Sequence, residues 1–319
     1  MSDAPESPMT SRALEVTHVH GERITVRATA TGTDLFSYVY RPDPDPFEAP
    51  KPYVHPLRTL SGNLVSGYRP NDHRWHKGLQ MTASHLSGQN FWGGNSYVHG
   101  EGYLRLPGRV GSMRHDAFDA VDVTGGELSF TESLTWTENG GTEWARERRG
   151  VRVHSVDPGS GSYAVDWSIG LTNTRADGEP LRFGSPTTAG REMAGYTGLQ
   201  WRGPRDFTGG TVFGPRPGLS GGELMGTRGP WLAFTAEHDE VDAHSTLVFA
   251  HAPENEHAVN ASHWFVRSEP VPTVAFSWAF FEEFALGAGE TFRYRYRIVV
   301  ADGAWDRDRV ASRLAELPW

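Results

Sequence analysis

A strict alternation of apolar side chains with arginines near the C-terminus constrains the fold of this chain most. Apolar residues stand at every second position from Phe292 to Val300, with Arg293, Arg295 and Arg297 between them. Successive side chains of a β-strand point to opposite faces, so this stretch predicts a strand with one buried and one solvated face. Residues 163–171 repeat the pattern, again with an apolar side chain at every second position.

Further strands and one helix follow from the same kind of pattern. Between residues 128 and 136 only Glu132 interrupts an apolar face. Other strands are predicted at residues 23–31, 34–41, 231–236, 245–251, 261–267 and 274–281. The chain has 37 glycines and 21 prolines, which suit tight turns between strands. A helical period occurs convincingly only at residues 304–316, where Val310, Leu314 and Leu317 could dock on a sheet.

These patterns together predict an all-β fold, a large antiparallel β-sandwich with a short C-terminal helix. The Pro/Gly-rich segments 42–52 and 202–222 are interpreted as long loops because strand-like sequence flanks each of them. Since no linker divides the chain, we expect residues 16–319 to form a single β-sandwich domain. Residues 1–15 are expected to form a flexible tail.

Composition excludes several classes of function. The formal net charge of −9 disfavours a nucleic-acid partner, which would call for a broad basic surface. The absence of cysteine excludes disulfides, thiolate nucleophiles and cysteine-ligated metals. No apolar run resembles a signal peptide or spans a bilayer, so we expect a soluble, cytoplasmic protein without a membrane partner. Eleven tryptophans leave room for a homo-oligomer interface that no segment localises.

The strongest functional signal is the stretch YVHPLRTLSGNLVSGYRPNDHRWHKGL. His73 and His76 follow a Pro-Asn-Asp turn, and residues 66–78 lack the periodicity that core packing would require. Imidazoles titrate near neutral pH, so this pair is our candidate for a catalytic acid and base.

Neighbouring side chains suggest what the two histidines act on. Trp75 offers a flat apolar face, and Arg58 and Lys77 offer cationic donors, a combination that suits sugars. His55 is a further candidate for substrate binding. Alternatively, His55, His73 and His76 together hold a divalent metal, beside a carboxylate from Asp72 or Glu192, although no cofactor is indicated by a recognised motif.

A second candidate stretch is GREMAGYTGLQWRG at residues 190–203. From its composition we expect Glu192 to be a catalytic carboxylate. Arg191, Tyr196 and Trp201 are expected to bind the substrate.

The histidine stretch, continuing to the Asn-Phe-Trp at residues 90–92, resembles the PmoA-like family, often labelled methane oxygenase. The shared motif is K-P-Y-x-H-P followed by D-H-x-x-H-x-G-L, and Trp75 stands where many members have histidine. That family is similar to galactose-mutarotase-like proteins, so the resemblance implies a β-supersandwich. In sugar mutarotases of that fold histidines act as acid and base with a carboxylate, parts that His73, His76 and Glu192 could take.

Three functional hypotheses follow. The first is a carbohydrate-active enzyme that acts on a sugar, keto-sugar or glycoside by histidine acid/base chemistry, as an epimerase, mutarotase or lyase does. The second is a divalent-metal-dependent enzyme that uses the histidine cluster. The third is a non-catalytic protein that binds a small carbohydrate. Neither the substrate nor the reaction type follows from the sequence.

Overall fold

The computed structural model describes residues 13–319, and strands dominate the regular structure in that range. In chain order the strands are β1 (Leu14–Val19), β2 (Arg23–Ala28), β3 (Thr33–Val39), β4 (Tyr53–Leu57), β5 (Leu79–Thr82), β6 (His85–Leu86), β7 (Ser96–Val98), β8 (Gly102–Leu104), β9 (Ser112–Thr124), β10 (Glu127–Thr137), β11 (Glu143–Asp157), β12 (Ser162–Asn173), β13 (Leu181–Gly184), β14 (Gly198–Arg202), β15 (Thr211–Phe213), β16 (Trp231–Glu237), β17 (His244–His251), β18 (His263–Arg267), β19 (Thr273–Ser277), β20 (Phe284–Leu286) and β21 (Thr291–Asp302). The helix α1 (Arg307–Ala315) follows the last strand, and short 3₁₀ helices cover Pro46–Glu48, Pro107–Arg109, Arg205–Phe207, Gly221–Leu224 and Pro253–His257.

Two eight-stranded sheets form the body of the protein. The first has the order β1-β2-β3-β4-β5-β14-β19-β18, and the second has the order β15-β16-β17-β21-β12-β11-β10-β9. Two small sheets, β20-β13-β6 and β7-β8, accompany them. Neighbouring strands pair antiparallel throughout the described chain. The predicted fold class, a large antiparallel β-supersandwich with a short C-terminal helix, is confirmed.

The core lies between the two large sheets, where their apolar faces meet. The alternating residues of β12 and β21 are buried there, and Trp167 pairs directly with Tyr296. On the opposite face of β21, Arg293 and Arg295 are exposed as expected, but Arg297 is only 1% exposed. Its guanidinium donates to both carboxylate oxygens of Asp166, at 2.6 and 2.9 Å, which compensates for its burial.

Glu132, the polar interruption of the β10 face, lies in the core within a network of polar side chains. It is fully buried, and one carboxylate oxygen contacts Nδ1 of His115 at 2.7 Å. The other oxygen accepts from the hydroxyl of Tyr38. Tyr38 in turn accepts from Arg149 at 3.0 Å, and Arg149 forms a bidentate pair with Glu147. Both carboxylate oxygens of Glu132 are therefore hydrogen-bonded, as buried polar groups in protein interiors usually are.

The two ends of the described chain both pack on the sandwich. Helix α1 covers the outer face of the second sheet, where Val310 and Leu317 are buried and Leu314 packs beside them. At the other end, β1 begins at Leu14, whose side chain is buried. Residues 14 and 15, expected in the flexible tail, therefore belong to the first sheet, while residues 1–12 of that tail lie outside the described residues. In the described range, no helix combines the length and apolar character needed to span a membrane.

Replacing Glu132 with alanine should lower the free energy of unfolding by about 3 kcal/mol, because His115 and Tyr38 lose a buried ionic partner. Chemical denaturation of the purified variant measures this change. The matched control is Glu127→Ala, which breaks an exposed pair with Arg152 and should cost less than about 1 kcal/mol. Equal effects of the two substitutions would contradict the role given to the buried network.

Candidate functional site

The candidate site lies on the outer face of the first sheet, over the strands β5, β14, β19 and β18. Alternation along these strands sends Trp201, Val274 and Trp264 into the core. The residues between them face away from the core. Arg202 of β14 is directly opposite Thr273 of β19, and Thr273 is directly opposite Arg267 of β18. Adjacent strands are about 4.8 Å apart, so the two arginines lie in one row about 10 Å apart, on either side of Thr273.

Loops rise around this part of the sheet and enclose a pocket of about 370 Å³. The loop between β4 and β5 forms one wall, and the segment between β13 and β14 forms another. The lining residues are Asp72, His73, Trp75, His76, Trp92, Asn95, Tyr103, Arg191, Tyr196, Phe265, Arg267, Val271 and Thr273. Tryptophan, tyrosine and phenylalanine rings therefore share the wall with charged and titratable groups, which is typical of sites for small polar ligands.

Two glycines allow the Trp75 ring to form its part of the wall. A Cβ atom on Gly94 would lie 2.5 Å from atoms of the Trp75 ring, and one on Gly93 would lie 2.6 Å from its Cβ. Both glycines also have positive φ angles, of 71° and 103°, which other residues rarely adopt. Only glycine at these positions lets the backbone pass directly against the indole.

His76 is held in one tautomer by a buried arginine. Its Nδ1 lies 3.3 Å from an Nη atom of Arg202, and a guanidinium can only donate hydrogen bonds. Nδ1 is therefore the acceptor, and the single proton of the neutral ring lies on Nε2. Burial, with the positive charge of Arg202 next, holds the pKa of His76 well below its usual range. Its Nε2 is buried and has no partner among the described residues, so its N–H is free for a ligand.

His73 has a different environment, although the two ring centroids are only 5.0 Å apart. Its side chain is 41% exposed, and its Nδ1 lies 3.2 Å from Oδ2 of Asp72. The two atoms are within hydrogen-bond distance, but the angle between the groups is not that of a hydrogen bond. A small rotation of the ring would let Nδ1–H donate a hydrogen bond to the carboxylate of Asp72, which would leave Nε2 as an acceptor.

Thr273, which lines the pocket, belongs to a buried chain of amide and hydroxyl groups. Gln80 donates to the carbonyl of Trp75 at 3.0 Å and to the side-chain oxygen of Gln200 at 2.9 Å. Gln200 donates to the hydroxyl of Thr273 at 3.1 Å, and Thr273 donates to the carbonyl of Trp201 at 2.8 Å. This buried chain links Thr273 by hydrogen bonds to the loop that carries the histidines.

The far end of the pocket carries two tyrosines and an arginine. Tyr103 accepts from Arg191 and also from the hydroxyl of Tyr196, at 2.9 Å. A phenolic oxygen accepts at most two hydrogen bonds, so the proton of Tyr103 remains free to be donated. The aromatic ring of Tyr196 packs against Trp92, with centroids 4.5 Å apart, and this contact joins the far end to the wall beside His76.

Half of the site residues predicted from sequence line this pocket. They are His73, Trp75, His76, Arg191 and Tyr196. Three come from the loop between β4 and β5, and two come from the segment between β13 and β14, so the two stretches that were singled out do meet in space.

The other five predicted site residues do not line this pocket. His55 stands on β4, donates or accepts at Ser66 (2.8 Å) and stacks on Tyr68, with centroids 4.8 Å apart. Arg58 donates to the carbonyl of Gly62 at 3.0 Å and so closes its own turn. Lys77 is buried and forms an ion pair with Glu48 at 2.8 Å.

Trp201 and Glu192 also have roles outside the pocket. Trp201 is a core residue, 1% exposed, whose indole nitrogen donates to the carbonyl of Val65 at 2.8 Å. Glu192 is exposed to solvent and does not line the pocket. The pocket carboxylate is that of Asp72.

The metal site considered for His55, His73 and His76 is not assembled. His55 is engaged with Ser66 and Tyr68, away from the other two rings. Within residues 13–319 there is no group of three or more histidine, aspartate or glutamate side chains arranged to hold a metal ion.

Several pocket residues were missed by reading the sequence. Trp92 ends the Asn-Phe-Trp of the histidine motif but was not among the predicted site residues, and Tyr103 lies on the short hairpin of β7 and β8. Phe265 and Arg267 come from a segment without a motif, and they reach the pocket because β18 pairs with β19. The alternation of β18 does indicate that Phe265 and Arg267 share a face opposite Trp264, but not which face carries the site.

Comparison with solved structures gives distant similarities. One is a variant GH36 α-galactosidase, AgaA, from Geobacillus stearothermophilus in complex with raffinose, with 12% identity and a TM-score of 0.37. Another is a protein from the human microbiome assigned as a kojibiose phosphorylase, with 11% identity and a TM-score of 0.35. These alignments cover 91% and 96% of this chain but only 40% and 36% of those chains. Values this low carry no information on the activity of this chain.

Sequence comparisons correct the expected family. No curated protein matches the chain. The family model that does match, over residues 25–315, is DUF6807, and no comparison indicates a PmoA-like family. Because the match spans more than half of its length, this chain belongs to DUF6807, a family of unknown function.

Proposed function

We propose that this protein is a carbohydrate-active enzyme that transfers protons to and from a small sugar bound in the pocket. The observation that carries the proposal is the pair His73 and His76, whose rings are 5.0 Å apart and whose partners prepare them for opposite roles. Paired titratable groups in contrasting environments are the usual basis for assigning an acid and a base.

In this mechanism His76 is the proton donor. Its neutral ring presents Nε2–H to an oxygen of the sugar, either a carbonyl oxygen or the ring oxygen, and transfer of that proton would leave an imidazolate whose charge the Arg202 guanidinium at Nδ1 stabilises. Arg202 remains at Nδ1 throughout, so the ring cannot switch to the other tautomer without losing that contact.

His73 is the proton acceptor. Asp72 would hold its Nδ1 proton, which leaves Nε2 to remove a proton from a carbon or hydroxyl of the sugar. Trp75 and Trp92 offer flat apolar faces for the C–H faces of a pyranose ring. This chemistry covers epimerisation, mutarotation and elimination, which differ in the atom that loses the proton and in whether a group leaves.

Replacing His73 or His76 with glutamine should reduce turnover about a hundredfold or more, since each removes an acid or base. Deuterium incorporation from D₂O into a panel of sugars and keto-sugars, followed by NMR, detects proton abstraction without knowledge of the product, and polarimetry detects mutarotation. His244→Gln is the matched control, because His244 is exposed and pairs with Glu237 outside the pocket. The melting temperatures should stay within a few degrees of the wild type. Full turnover in His73→Gln would contradict the proposal.

The assignment of His76 also predicts a pH dependence of stability. The folded protein keeps this ring neutral because its pKa is lowered, whereas the unfolded chain takes up a proton near pH 6.5. Stability from this group is therefore fully present above pH 6.5 and is lost as the pH falls below it. Chemical denaturation between pH 8 and pH 5 should show a steeper loss for the wild type than for His76→Gln. Parallel curves would contradict the buried neutral imidazole.

A non-catalytic carbohydrate-binding protein is the second candidate, favoured by the aromatic wall of Trp75, Trp92 and Phe265. It would bind a sugar in calorimetry and return it without deuterium exchange or a change in optical rotation. A cytoplasmic location and a homo-oligomeric state remain predictions of the sequence.

A further inference from the structure

We propose that the sugar bound in this pocket is anionic, and that Arg191 and Arg267 bind its carboxylate or phosphate group. This inference rests on the proposed function, because it names the charge of the ligand at the same site. It goes beyond the histidine chemistry, to which neither arginine contributes.

Neither guanidinium group has a counter-ion among the described residues. Both arginines line the pocket, and neither forms an ion pair with any residue in the described range 13–319. Arg191 donates to the hydroxyl of Tyr103, and Arg267 lies over the ring of Phe265, with its guanidinium carbon 5.2 Å from the centroid. Neither partner carries a negative charge.

The positive charges of Arg191 and Arg267 lie close enough to repel each other. Burial, and after it the charge of Arg191, lowers the pKa of Arg267. Like charges that share a partly buried site are unfavourable unless an anion lies between them. Asp72 is the only carboxylate among the residues that line the pocket, and it contacts His73 and Arg205 instead.

The polar groups beside the two arginines are also hydrogen-bond donors. The hydroxyl of Tyr103 has a proton free, since Arg191 and Tyr196 already use its acceptor positions. In the same row of the sheet as Arg267, Arg202 is fully buried, and its Nε and one Nη have no partner in the described structure. This pocket is therefore rich in donors and positive charge, within a chain whose formal net charge is −9. Arginine forks match the oxygens of carboxylates and phosphates in geometry as well as in charge.

Binding measurements on the full chain at low salt test this inference. D-Glucuronate and D-galacturonate represent the carboxylate, D-glucose 6-phosphate represents the phosphate, and D-glucose and D-galactose are the neutral counterparts. Acetate and inorganic phosphate probe the anionic group alone. Calorimetry gives the dissociation constants, and the Nε–H signals of arginines in ¹⁵N NMR report on the site directly.

We expect one of the two anionic classes to bind about tenfold more tightly than its neutral counterpart, the size of one charge-assisted hydrogen bond. Arg267→Met and Arg191→Met should each reduce that preference to near unity, and Arg267→Lys should restore part of it because the charge returns without the fork. Added salt should weaken the preference. The matched control is Arg293→Met, which removes the same charge from an exposed position on the second sheet and should leave the preference unchanged.

The outcomes separate this inference from the proposed function. If neutral and anionic sugars bind equally, or if Arg267→Met keeps the preference, the inference is overturned while sugar chemistry at the histidines stands. If acetate or inorganic phosphate shifts the Nε–H signals of both arginines but no sugar binds, the anion site is supported and the carbohydrate assignment fails. If neither sugars nor simple anions perturb these signals, the arginine pair is not a binding site.

Discussion

The candidate site depends on the buried guanidinium of Arg202, which forms no ion pair with a carboxylate among the described residues. Arg202 is fully buried on β14, where burial lowers its pKa to about 10 against the opposing influence of Asp72. A buried cation without a partner is costly, so the groups around it are those that reduce the cost. One is Nδ1 of His76, which accepts directly, and another is the charge of Asp72 on the loop above. The same arginine thereby fixes the tautomer of His76 and attracts the carboxylate of Asp72, which lies 3.2 Å from Nδ1 of His73.

Strand register explains why this arrangement holds together. Arg202, Thr273 and Arg267 occupy one row across three strands, and a slip of one residue in any pair would send them into the core. Trp201, Val274 and Trp264 prevent such a slip because they already fill the core side. The strand register that packs the core on one face of the sheet therefore also fixes the positions of the site residues on the other face.

The sequence predicts the fold well because its strongest signals are local. The period of two in β12 and β21 identifies strands by itself, and the docking of α1 follows from three spaced apolar residues. Local signals serve the site less well. A motif shows that His73 and His76 share a loop with Trp75, but it cannot separate pocket residues from neighbours such as Lys77, which pairs with a buried glutamate only after folding. Arg267 reaches the pocket because β19 pairs with both β18 and the distant β14, an arrangement that no single stretch of sequence contains. Tyr103 lies on a local hairpin and meets Arg191 and Tyr196 only in the folded chain.

His55 and Glu192 lie outside the pocket for the same physical reason. His55 lies on a strand rather than on the loop, so its ring stacks on Tyr68 instead of turning toward His73. Glu192 follows a residue that does face the pocket, but consecutive side chains of an extended or turning segment rarely point the same way. The composition of a segment therefore indicates whether the segment reaches the pocket, while the direction of each side chain determines whether that residue lines it. Here orientation leaves Asp72 as the carboxylate of the pocket and places positive charge, not a second acid, at its far end.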